Sequence, residues 1–112
     1  MIETIVLNYL SGMLEVPVRM EEETNLPDRY VIVEKAGSGK TGKFLETSTI
    51  IIQSYAESLY EAAVLNEKVK EKMDDIITLN EITKSELNSD YNYTDTERKK
   101  YRYQAVYDLI HY

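Results

Sequence analysis

Cysteine is absent from the 112-residue chain. Neither a disulfide framework nor a thiolate metal site can therefore be built, which suits a reducing compartment. Histidine is nearly absent too: His111 is the only one and stands next to the last residue, where fraying is expected. A transition-metal centre is thus poorly supported, and catalysis by histidine or cysteine has little to work with. Carboxylates are plentiful, but no spacing singles out a hydrolytic pair. No apolar run approaches the ~20 residues that a membrane-spanning helix needs, and Met1-Ile2-Glu3-Thr4 lacks the basic start of a secretory leader. Basic residues are outnumbered, 13 against 20, for a formal charge of −7. Such a balance repels nucleic acid at long range. The one basic cluster, Arg98-Lys99-Lys100, reads as a solvated turn before a strand.

Glycine is scarce, and three of the four glycines fall in one stretch, KAGSGKTGK, residues 35–43. It has the look of a phosphate-binding loop. That loop reads G-x-x-x-x-G-K-[ST], and Gly39-Lys40-Thr41 would need a glycine where the chain has Glu34. It must also open a helix, whereas residues 44–53 are rich in β-branched types. The stretch reads better as a flexible connection in a hairpin. A small nucleotide-binding protein using residues 37–41 is the alternative from a different functional class.

Ile2, Ile5, Val6, Tyr9, Leu10 and Met13 recur at three- and four-residue spacing, which predicts a short amphipathic helix. Val16, Val18 and Met20 alternate as a strand, and Pro17, which cannot donate to a ladder, puts its start at an edge or at its first residue. An acidic turn over residues 21–28 follows. Tyr30-Val31-Ile32-Val33 predicts an interior strand, and residues 44–53 its hairpin partner. Ser54-Tyr55-Ala56-Glu57 has the capping-box pattern. It predicts a helix of about five turns whose inner side carries Tyr55, Leu59, Ala62, Asn66, Val69, Met73 and Ile76. Asp74 and Asp75 oppose the helix dipole and mark its end. Residues 82–91 predict a fourth strand and 88–96 a tyrosine-bearing turn. Tyr101, Tyr103, Ala105, Tyr107 and Leu109 alternate with Arg102, Gln104, Val106, Asp108 and Ile110 along a long closing strand. The order is α-β-β-β-α-β-β. It predicts one α+β domain over residues 1–112, with a mainly antiparallel sheet of four to five strands and the long helix across one face. Ten tyrosines suit a sheet and protein interfaces better than a base-stacking platform, given the acidic balance.

Three stretches give the chain a family resemblance: VPVRMEEETNLPDRYVIVEKAGSG, TIIIQSYAESLYEAAVLNEKVKEKM and YRYQAVYDLIHY. In this order they resemble the tail terminator (tail completion, head–tail joining) proteins of long-tailed bacteriophages and prophages. The resemblance implies a non-enzymatic structural protein without cofactor or metal. It would form a homo-oligomeric ring, usually a hexamer, that caps the tail tube, ends tube polymerisation and presents a surface to the head. The implied partners are further copies of itself, the tail tube protein and a head completion or connector protein. Genome DNA would only pass through, and no membrane is involved. The implied place is the virion's head–tail junction, after synthesis in the bacterial host cytoplasm. A head-side adaptor or stopper of the same connector is the nearest variant. No family residue is transferred. Two interface candidates come from the chain itself: the loop Gly37, Ser38, Gly39, Lys40, Thr41, Gly42 and Lys43, expected to order on docking, and the strand residues Tyr101, Tyr103 and Tyr107.

Overall fold

A computed structural model describes all residues, 1–112. Helix α1 (Ile2–Met13) leads into a short strand β1 (Val18–Arg19), followed by β2 (Tyr30–Lys40) and β3 (Glu46–Ala56). Helix α2 (Leu59–Asp74), a single 3-10 turn (Ile76–Thr78), β4 (Ile82–Asn92) and β5 (Tyr101–His111) complete the chain. The strands form one five-stranded sheet in the order β1-β2-β3-β5-β4. Only the β1–β2 pair is parallel. This is the predicted α+β architecture. No helix is long and apolar enough to cross a membrane.

Both helices lie on the same face of the sheet, and alternation along the strands follows from that. In β3, Ser48, Ile50, Ile52 and Ser54 are buried beneath the helices, while Thr47, Thr49, Ile51 and Gln53 on the opposite face are half-buried. Val6 and Leu10 of α1, Leu65, Val69 and Met73 of α2, and Tyr107 and Leu109 of β5 close the same core. Side-chain hydroxyls from three elements reach the end of α2, where backbone carbonyls run out of intrahelical partners. Tyr9 donates to the Lys72 carbonyl at 2.7 Å, Ser85 to that of Met73 at 2.9 Å, and Tyr107 to that of Lys70 at 3.4 Å. Burial, then the nearby Asp75 carboxylate, pushes the Tyr9 phenol up.

Several boundaries differ from the sequence expectation. Helix α2 begins four residues later, because Ser58-Leu59-Tyr60-Glu61 is a second serine-to-glutamate pattern and is the one used: the Glu61 N–H donates to Ser58 Oγ at 3.1 Å. Ser54 and Tyr55 stay in β3 instead, where Tyr55 stacks on Tyr30 with ring centroids 4.6 Å apart. Strand β1 shrinks to two residues, and Met20 is exposed. Residues 88–92 belong to β4, so the turn covers 93–100 only. His111 does not fray. It pairs with both Glu46 and Ile82 across neighbouring strands and is buried.

Candidate functional site

The lysine- and glycine-bearing segment is mostly strand, which corrects the expected loop over residues 37–43. Gly37, Ser38, Gly39 and Lys40 pair with Thr49, Ser48, Thr47 and Glu46. A register shift between Lys35 and Gly37 absorbs one extra residue as a bulge. Only Thr41, Gly42 and Lys43 of the predicted loop lie in the connection, which continues through Phe44 and Leu45. The Thr41 N–H closes it on the Leu45 carbonyl at 2.9 Å. Gly42 supplies the left-handed residue of the turn, with φ +79°. A strand-paired segment followed by a second strand cannot aim successive N–H groups at a phosphate from a helix start.

Phe44 is the residue that sequence reasoning missed. The sequence pattern makes it the first residue of a strand, but it sits on the hairpin tip and is 74% exposed. Lys43 Nζ stands 5.4 Å from its ring centroid. With Lys40, Lys43, Leu45, Glu46 and the exposed Tyr112 it lines a cleft of about 230 Å³. The signal available in the sequence was that the only phenylalanine adjoins a glycine–lysine run.

Strand and turn glycines should respond oppositely to substitution. An added side chain at Gly39 meets nothing within 4 Å, and a threonine there should stabilise the hairpin by about 0.5–1 kcal/mol through reduced backbone entropy. Gly42→Ala should destabilise by about 1 kcal/mol, because a Cβ strains positive φ. Urea denaturation of the two variants checks this, and equal effects of one sign would contradict the strand assignment.

The sheet face turned away from the helices carries a row of aromatic and cationic groups. Tyr30, Tyr55 and Arg102 lie in adjacent strands at one level of the register. The Arg102 guanidinium lies 4.5 Å from the Tyr93 ring centroid and 5.7 Å from that of Tyr55. It donates to the Tyr93 carbonyl at 2.7 Å and to the Tyr55 hydroxyl at 2.8 Å. The next level holds Gln53, Gln104 and Tyr91, joined by side-chain hydrogen bonds. The predicted tyrosines fall on the other side: Tyr107 is buried under α2, and Tyr101 and Tyr103 are half-buried on the helix-covered face. Tyr107 is thereby removed from the candidate interface. Period-2 reading placed these three on one face correctly but could not say which face the helices cover.

The acidic turn closes over one end of this row, making a cleft of about 570 Å³ between Glu22, Asp28, Tyr30, Tyr55, Glu57 and Lys100. The Tyr30 hydroxyl donates to Glu22 at 2.8 Å, and Lys100 Nζ reaches the same carboxylate at 3.1 Å. Tyr30, then Lys100 and Arg102, hold the Glu22 carboxyl below the usual carboxylate range, against burial, which raises it. Burial and Glu22 push the Tyr30 phenol up. Asp28 and Glu57 both line the rim, and the neighbouring Asp28 pushes the Glu57 carboxyl up. A depressed folded-state value means that Glu22 stabilises the fold above the unfolded carboxylate pKa and loses this as pH falls through the folded value. Glu22→Gln should therefore cost under about 1 kcal/mol at pH 7, since the pair is solvent-exposed. The difference from the parent should shrink between pH 7 and the acid end of the titration, as Glu22 protonates. A difference that stays constant between those pH values in urea titrations would contradict the assignment.

A second groove runs between α2 and β4. Val64 and Leu87 form its apolar floor, with Glu67, Lys68, Lys70, Glu71 and Asp74 along it, in a volume of about 520 Å³. Lys70 is already committed to Glu67 at 2.8 Å and Asp90 at 3.3 Å. Burial, then Asp74, Asp90 and Glu67, pushes the Tyr107 phenol up.

Ser48 Oγ and His111 Nε2 lie 2.8 Å apart, the spacing of a nucleophile and its base. Their exposures are 1% and 3%, which leaves no room for a substrate carbonyl beside the hydroxyl. The pair satisfies two polar groups inside the sheet. No group of three or more His, Cys, Asp or Glu side chains is arranged to hold a metal ion. No protein-family model matches the sequence, and no curated protein matches it.

Proposed function

We propose that the chain is a structural virion protein of the tail-terminator kind, a ring of identical copies that caps a phage tail tube and offers a surface to the head. The observation that carries this reading is the state of the two sheet borders. Strand β4 pairs only with β5 along its 11 residues. On the opposite border, β1 covers only Val31 and Ile32, so β2 from residue 33 to Lys40 has a free outer edge. A closed ring needs one patch to meet a different patch on the neighbour, and unlike borders on opposite sides of a protomer meet that requirement.

Both borders also carry devices against indiscriminate pairing. Register shifts interrupt β4 between Ile82 and Lys84 and between Leu87 and Ser89, and one interrupts β2 after Lys35. Charged Lys84, Glu86 and Asp90 on β4, and Glu34, Lys35 and Lys40 on β2, have the same effect. These features favour a chosen partner over open-ended aggregation. The elongated shape, 45 × 24 × 24 Å, gives a protomer of this size a long side to share with its neighbours. A net charge of −7 on a ring around a channel would let DNA pass without adhering.

Deleting the chain from a phage or prophage that encodes it tests the reading. Tails should then lack a stop signal and grow beyond their normal length, with full-length heads left unjoined. Tails of normal length, joined to heads, would overturn it.

A further inference from the structure

We propose that the hairpin tip of one copy docks into the groove between α2 and β4 of a second copy, with Phe44 as the apolar anchor and Lys40 and Lys43 facing Glu71 and Asp74. This deepens the ring reading above and rests on it for the choice of partner. The two halves are complementary in kind. The tip presents an aromatic ring that is 74% exposed, while the groove presents Leu87, 40% exposed, beside Val64. An aromatic side chain seated in an apolar-floored groove is the kind of anchor on which protein contacts centre.

The charges match as well. Neither Lys40 nor Lys43 has an acidic partner within 4.0 Å. Asp74 is also without a basic partner, and Glu71 has only Lys72, at 3.9 Å. Asp74 closes the last turn of α2, where the helix dipole is already negative. An unpaired carboxylate is disfavoured there, and a cation arriving from outside relieves both the dipole and the side chain. Tip and groove share no residue: the tip closes the β2–β3 hairpin at one end of the sheet, and the groove lies beside the edge strand β4. A contact between two such different patches can run head to tail from copy to copy, as a ring requires.

Absence of cysteine makes the test clean. Thr41→Cys places one thiol on the tip and Lys68→Cys places one on the groove wall, both at exposed positions. Mixed and oxidised, the two single-cysteine chains should form the disulfide-linked mixed dimer roughly tenfold faster than either forms its own homodimer, because docking raises the effective concentration of the thiols. Adding Lys40→Glu and Lys43→Glu to the tip chain should remove that preference. Pairing it with a groove chain that also carries Glu71→Lys and Asp74→Lys should restore it. Equal rates for all pairings, or charge reversal without rescue, would overturn the proposal. If cross-linking follows the expected pattern but tubes are not capped, the functional reading fails and the interface stands. If tubes are capped but cross-linking shows no preference, the interface alone fails.

Discussion

Replacing Ile52 with alanine is expected to destabilise the fold by about 2–5 kcal/mol, a large share of the ~5–15 kcal/mol available to a domain of this size. Ile52 is fully buried, pairs with Val33 and Ala105 across the adjacent strands and faces the helices. Truncation removes three methyl or methylene groups and leaves a cavity that close-packed neighbours only partly refill. Its neighbour Ile51 points the opposite way and is half-buried on the uncovered face. Ile51→Ala should therefore cost less than about half as much. The pair tests the register directly, because a slip of one residue exchanges the two faces. Urea midpoints with unchanged denaturant slopes are the measurement, and equal losses for the two variants would contradict the face assignment.

The second large effect is on assembly. Replacing residues 41–45 with Asn-Gly should leave folding close to the parent, because Lys40 and Glu46 already pair and an Asn-Gly turn closes a two-residue hairpin. The melting temperature is expected to shift by under about 5 °C. Self-association should be lost, since the variant lacks Phe44 and Lys43 together. Cutting back to residue 37 would be a poorer experiment. It would also strip the partners of Thr47, Ser48 and Thr49 and confuse assembly with stability. Sedimentation of the two proteins at matched concentrations reads the outcome, and an unchanged oligomer would contradict a role for the tip.

The parts of the architecture that local pattern governs were legible in the sequence. Alternation along residues 101–111, the helical spacing from Ile2 to Met13 and the acidic pair that ends α2 each follow from side-chain periodicity or the helix dipole. The start of α2 was not legible, because two consecutive serine-to-glutamate patterns compete. Tyr55 tips the choice by stacking on Tyr30, a residue 25 positions earlier in the chain. The glycine-rich run misled in a similar way. Gly37 and Gly39 have low strand propensity, and the β-branched Thr47 and Thr49 opposite them hold that stretch in the ladder. Burial of His111 depends on Ser48, 63 positions away, which no local reading supplies. For the candidate interface, the lysines were visible in sequence, whereas the exposure of Phe44 and the groove beside Leu87 exist only once α2 lies across the sheet.

The most direct test of the central claim is electron microscopy of the purified chain mixed with isolated tail tubes. Ring-shaped density confined to one end of each tube is the expected result, and such tubes should no longer elongate when free tube protein is added. Bare ends, or binding scattered along the tube wall with elongation unimpeded, would contradict it.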